Sequence, residues 1–452
     1  MGQIDQADTA WVLACAALVL FMTPGLALFY GGLVRTKNVL ATMMHSFAAI
    51  AVVSALWLLV GYSLAFGPDV GHVIGGLDHI GFRGVGAAPS PLAPTVPHTA
   101  FAAFQLMFAV ITPALIAGAF AERVRFGGYL LFIGAWSLLV YAPLAHWVWG
   151  GGLLGADGLG ALDFAGGTVV HISAGAAALA TALFVGKRRG HPNAAFVPHD
   201  VPMVMLGAGI LWFGWFGFNA GSALTAGGLA SSAFVATHMG AAAGGVGWAI
   251  LERWRHGSVT AVGAVSGAVA GLVAITPAAG FVTPLAGFGI GLVAGAVCWL
   301  AVASKRRFGY DDALDVVGIH LVGGVAGALL TGVLASAAIF PGVEPGLAQL
   351  GRQAAAAGIA FAFSFVATLA IVKAVDMLVG FRAAPAAEDE GLDVTEHGER
   401  AYPETGRTVR LPEAGEEEDL DALRERLVLE ATERVLEQVG RSVREDAENG
   451  RS

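Results

Sequence analysis

The feature that most limits what this chain can fold into is a succession of eleven apolar segments, beginning near Ala10, Leu40, Thr99, Phe126, Gly166, Val201, Ser231, Val259, Phe281, Ala313 and Leu347. A helix needs about 20 apolar residues to cross about 30 Å of hydrocarbon, and each segment is long enough. The expected fold is therefore an all-α polytopic membrane protein with eleven transmembrane helices. Composition agrees: 56% of the 452 residues are hydrophobic and only 13% charged, with a mean hydropathy of +0.70, far from soluble globular domains.

Lys and Arg fix the expected orientation. Arg35 and Lys37, Arg123 and Arg125, Lys187 to Arg189, Arg253 and Arg255, and Lys305 to Arg307 fall in every second loop, while Arg83 and Arg352 are the exceptions in the others. This puts the N-terminus outside, the tail in the cytoplasm and the protein in the cell membrane. No basic residue precedes Arg35, so the first segment reads as a retained span rather than a secretory signal. Residues 383–452 hold 20 acidic and 9 basic side chains, so the net charge of −9 belongs to a soluble tail. Cys15 and Cys298 lie in apolar runs and read as small buried residues, not a disulfide framework.

Two ionisable motifs interrupt the apolar pattern. DFAGGTVVHISAG (163–175) places His171 eight residues after Asp163, and DALDVVGIHLVGG (312–324) places His320 eight residues after Asp312. They fall on the fifth and tenth spans, which run in opposite directions. Eight helical residues rise about 12 Å, so each histidine enters from its own face and stops near the midplane, where the two can meet. ITPA recurs at Ile111 to Ala114 and Ile275 to Ala278, on the third and eighth spans. Together these echoes predict an inverted repeat of five plus five spans with a site between the halves. Intramembrane ionisable residues are costly and mark pathways for ions, protons or substrate. A single buried histidine is as readily a satisfied hydrogen-bonding residue; the duplication is what favours function. Burial disfavours the charged ring, and neutral imidazoles each donate one hydrogen bond and accept another. Such a pair suits a polar solute or a proton better than a bare metal ion. Small residues beside both histidines (Gly166, Gly167, Gly175, Gly318, Gly323, Gly324, Gly327) allow close helix approach. No metal-ligand cluster or activated nucleophile is visible, so no enzyme, metal or cofactor is expected.

With TPGLALFYGGLVRTKNVL (23–40), FQLMFAVITPALIAGAFAER (104–123), GWFGFNAGSA (214–223) and EGLDVTEHGERAY (390–402), the two histidine motifs make residues 10–402 resemble the ammonium transporter family, in its bacterial, archaeal and plant branch. The resemblance implies transport of ammonium or methylammonium across the bilayer. It implies that Phe108 roofs the pore, Trp149 and Ser222 recruit the cation at the outer mouth, Phe218 is a second gate, and His171 and His320 line the conduction path. Asp163 is implied to serve a structural and electrostatic role. Each residue also has a plainer reading: Trp149 in an interfacial aromatic belt, Phe108 and Phe218 in the core, Ser222 ending a helix, Asp163 capping one.

The implied mechanism is recruitment, deprotonation near Phe108, passage of ammonia through an apolar pore, and reprotonation inside, with the proton co-transferred. The resemblance further implies a homotrimer and a PII-type signalling protein at the cytoplasmic face; nucleic acid is not expected. Domain boundaries are expected at 1–382 for the membrane domain, 383–402 for the family tail segment and 403–452 for an acidic extension. In that extension Leu423, Leu427, Ala431, Val435, Val439 and Val443 mark an amphipathic helix over about 420–444. An ammonium sensor signalling through the tail is the competing function.

Overall fold

Backbone amides in hydrocarbon must be satisfied within the protein, and the apolar segments meet this requirement as helices. The computed structural model describes residues 3–402. The amphipathic helix expected over about 420–444, and the whole 403–452 extension, lie outside the described residues. Among the described residues, ten helices are long and apolar enough to cross a membrane: α1 (Gln6–Leu33), α2 (Thr36–Phe66), α3 (His98–Phe120), α4 (Phe126–Trp149), α5 (Gly167–Val185), α6 (Val201–Gly221), α7 (Gly228–His256), α9 (Pro284–Phe308), α10 (Val317–Leu334) and α11 (Leu347–Val379). Between α7 and α9 lies α8 (Ala261–Ile275), the segment expected to be the eighth span. It stops after 15 residues, about 22 Å. Thr276 and Pro277 follow, and the chain then turns through Gly280 before α9 begins. The segment is apolar throughout, which is why its early end is not visible from hydropathy.

The bundle exposes apolar side chains and buries polar ones, as a lipid-facing protein must. Leu285 and Leu347 are 81% and 87% exposed, whereas Glu122, Arg123, His171 and Asp311 are each 2% exposed or less. Cys15 and Cys298 are buried and unpaired. Small residues let helices touch through their backbones: a Cβ on Gly291 of α9 would stand 2.0 Å from the Gly240 carbonyl oxygen of α7.

The approaches to the two histidine helices carry matching backbone hydrogen bonds. Leading into α5, Phe164 N–H donates to the Pro277 carbonyl at the end of α8 (3.1 Å). Leading into α10, Leu314 N–H donates to the Gly118 carbonyl at the end of α3 (3.1 Å). Each histidine helix is thus anchored by the other half of the chain.

Two tail helices, α12 (Pro385–Glu390) and α13 (Leu392–His397), close the compact unit, which ends at Ala401. Asp393 accepts from Ala41 N–H (2.9 Å), Glu396 accepts from Phe126 N–H (2.9 Å), and Arg382 donates to the Val185 carbonyl (2.8 Å). These bonds lace the tail to three of the basic loops. Beneath it, Glu122 accepts from Arg35 and Arg188, and Asp311 accepts from Arg123 and Arg188, all with the acidic partners buried.

Candidate functional site

The site begins where α5 and α10 begin. Five residues before each histidine the backbone is left-handed, at Gly166 (φ 115°) and at Asp315 (φ 63°). Glycine adopts that conformation without strain, and aspartate is among the side chains that tolerate it best. In both helices the first turn is a wide π turn, Gly167–Ile172 and Val317–Leu321, which carries His171 and His320 respectively. Single π turns inside helices are uncommon and recur at functional sites.

The two aspartates anchor these starts differently. Asp163 accepts four backbone N–H groups, from Gly166 (2.8 Å), Gly167 (2.7 Å), Thr168 (2.7 Å) and Val169 (3.1 Å). It satisfies the donors that any helix start leaves open and places negative charge at the positive end of the helix. Asp312 accepts from Val317 N–H alone (2.7 Å), and its other oxygen is buried without a partner. Burial pushes the Asp312 carboxyl above the ordinary carboxylate range against the pull of the Lys305 ammonium.

His171 and His320 meet Nδ1 to Nδ1 at 3.2 Å, their rings near-parallel with centroids 5.3 Å apart. Close approach is possible because residue 175 has no side chain: a Cβ there would lie 2.5 Å from Leu321 N. An Nδ1–Nδ1 bond holds one proton, so one ring donates while the other accepts, and two imidazolium rings, each protonated at Nδ1, would leave no acceptor for it. His171 also stacks on Trp215 (centroids 5.5 Å), whose indole N–H is held by Thr276 Oγ1 (2.9 Å), while His171 Nε2 is buried with no partner. The remaining wall includes Leu26, Tyr30, Ile111, Val269 and Ile319. Tyr30 spends its hydroxyl proton on the Leu115 carbonyl (3.0 Å), which leaves the imidazoles as the chief polar groups of this cavity.

Phe218 closes the cavity and Phe108 lies over it, ring centroids 4.3 Å apart. Phe108 is buried and faces a second cavity with Trp149, Phe104, Gln105 and Ser222 in its wall. This vestibule opens on the face that holds the N-terminus, since Asp5 N–H bonds Thr95 O and Asp8 accepts from Ala226 N–H beside it. Trp149 stands edge-on to Phe108 (5.9 Å) with its indole N–H on the Asp163 carbonyl (3.0 Å). The Ser222 hydroxyl donates to the Phe218 carbonyl (2.9 Å) at the end of α6, so its lone pairs are what it offers to the vestibule. All seven sequence-derived residues therefore converge on one axis: Trp149 and Ser222 above, Phe108 and Phe218 between, His171 and His320 below, and Asp163 behind Trp149. Gln105 was not among them. The available signal was its spacing three residues before Phe108, which puts both on one face of α3.

Beyond the histidines a third cavity opens toward the basic loops, with Arg188, His191, Lys305, Asp311 and Asp315 in its wall, and Leu314 shared with the central cavity. Although burial opposes its charge, the guanidiniums of Arg188 and Arg123 hold the Asp311 carboxyl well below the usual carboxylate range. Among the described residues no group of three or more His, Cys, Asp or Glu could hold a metal ion.

The profile of the Ammonium Transporter Family matches residues 10–402. The chain belongs to this family. It is 51% identical over 405 residues to the ammonium transporter of Bacillus subtilis, covering 88% of this chain and 99% of that one. It is 43% identical over 402 residues to Amt1 of Archaeoglobus fulgidus, covering 88% and 100%. Its fold matches the crystal structure of Saccharomyces cerevisiae Mep2 with a TM-score of 0.79 at 38% identity, over 85% of this chain and 89% of that one. It also matches a structure titled Sensor Amt Protein, with a TM-score of 0.80 at 30% identity over 86% and 98%. The family and the long apolar helices identify a multi-pass membrane protein consistent with the plasma membrane.

Proposed function

We propose that the axis from Trp149 to His320 conducts ammonia after stripping a proton from ammonium, and that the proton crosses as well. The observation that carries this reading is the closely packed, tilted Phe108–Phe218 pair above a cavity whose chief polar groups are two imidazoles sharing one proton. A cation is held above Phe108 by aromatic faces worth about 0.5 to 2 kcal/mol each and by Ser222. Carrying its charge through the apolar cavity costs far more, so only the neutral molecule follows. Potassium has no proton to lose and stays behind. His171 and His320 then serve as a relay: a proton enters at Nε2 of the first ring, the shared proton crosses the Nδ1–Nδ1 bond, and the second ring releases its Nε2 proton on the far side.

In this reading the vestibule faces outward and the basic loops face the cytoplasm. Residues 1–382 form the transport domain, 383–402 a regulatory tail segment that receives a PII-type protein, and 403–452 an added acidic segment; three chains assemble as a homotrimer. In proteoliposomes an ammonium pulse should evoke current and a potassium pulse none. His171→Ala combined with His320→Ala should lower ammonium over potassium selectivity at least tenfold; normal selectivity in that variant refutes the relay, and uptake without current refutes proton co-transfer.

Likeness to a protein titled a sensor supports a second reading, in which occupancy is reported through the tail. Flux that survives deletion of 403–452 while a downstream signal disappears would favour it.

A further inference from the structure

The vestibule contains one polar group with no assigned task. Gln105 is 8% exposed, and its Oε1 is fully buried without a hydrogen-bond partner. It lies in the wall of the same cavity as Ser222, Trp149 and Phe108, one helical turn above Phe108 on α3. A buried carbonyl oxygen left unpaired is costly, and native proteins rarely keep one without a use. The other polar groups around it are committed: the Trp149 indole N–H is on the Asp163 carbonyl and the Ser222 hydroxyl proton is on the Phe218 carbonyl. What remains on offer to an occupant is the Ser222 Oγ lone pairs and the Gln105 side-chain amide, whose Oε1 is an acceptor with no partner.

We propose that Gln105 is a specificity-determining residue of the vestibule, its Oε1 accepting an N–H from the bound cation beside Ser222. The proposal rests on the transport reading above. Ammonium carries four N–H donors in a tetrahedron, so two oxygens and the aromatic faces of Trp149 and Phe108 engage it from several sides. An alkali cation needs its whole hydration shell replaced by oxygens, and two do not suffice. Methylammonium has exchanged one N–H for a methyl group, and an amide oxygen in an otherwise apolar wall rejects that methyl. Gln105 thus counts N–H groups before the proton is removed, and it acts on affinity rather than on passage below Phe108.

The test is flux of ammonium and methylammonium into proteoliposomes holding the full chain, with KM and maximal flux measured separately. Gln105→Leu keeps the volume and removes the acceptor. Loss of a hydrogen bond to a charged group should raise the ammonium KM about tenfold, with most of the loss in KM rather than in maximal flux. The preference for ammonium over methylammonium should fall with it. Gln105→Glu keeps an acceptor oxygen and should hold the KM at or below the wild-type value. A Gln105→Leu protein with unchanged KM and unchanged preference overturns the proposal, as does an equal rise in KM for both variants and both cations. Should Gln105→Leu fail to fold, Gln105→Met carries the same expectation. Wild-type liposomes without ammonium-selective flux would instead overturn the transport reading itself, so the two failures are distinguishable.

Discussion

At the scale of single residues, the centre of the molecule is one hydrogen bond between two histidines, each set eight residues after an aspartate. Asp163 and His171, and Asp312 and His320, share one spacing, and a buried ionisable residue that occurs twice at mirrored depth is difficult to explain as packing. What the spacing did not reveal was that the two aspartates behave differently. Asp163 gathers four amides, whereas Asp312 gathers one. Asp163→Ala should therefore leave several buried N–H groups unpaired, at a cost of about 2 kcal/mol or more, read as a melting temperature several degrees lower in detergent. Asp163→Asn, which retains one acceptor oxygen, should lose less. Gln105 escaped the sequence reading because a lone glutamine in an apolar helix has no spacing partner. Its significance appears only when the walls of the vestibule are assembled and its oxygen is found unpaired.

At the scale of elements, hydropathy located the membrane helices to within a few residues but overstated α8, where apolar character continues past the helix end at Ile275. The π turns and left-handed starts of α5 and α10 were likewise hidden. Gly166 permits such a backbone and gives some warning, whereas Asp315 gives none. The charge cluster between loops was hidden for another reason: its members come from three separate stretches of chain, Glu122 with Arg123, Arg188, and Asp311. The structure buries them together. Because Asp311 is held below its ordinary range, the unfolded chain binds the extra proton as pH falls. Its contribution is therefore fully present above about pH 5 and drains away below that, toward the depressed native value. Asp311→Asn should start about 3 to 5 kcal/mol less stable at pH 7, since two guanidiniums lose their buried partner. It should also lose less than wild type on acidification. Unfolding followed by intrinsic fluorescence from pH 7 to pH 4 checks both.

At the scale of the whole molecule, the compact unit runs through Ala401, so the tail segment 383–401 is part of the same body as the membrane helices. Deleting 403–452 should therefore leave stability and ammonium flux within about twofold of wild type. Deleting 383–452 should destabilise the protein, because it removes the partners of Ala41, Phe126 and Lys37. Comparing flux and melting temperature of the two truncations tests this. The mirrored anchoring of α5 and α10 also bears on how the chain is made. Until α8 and α10 have been threaded into the bilayer, the segment leading into α5 lacks its Pro277 contact and His171 faces an unoccupied slot. The conduit consequently closes only once α10 has been made, and a chain abandoned halfway holds half a wall rather than a hole.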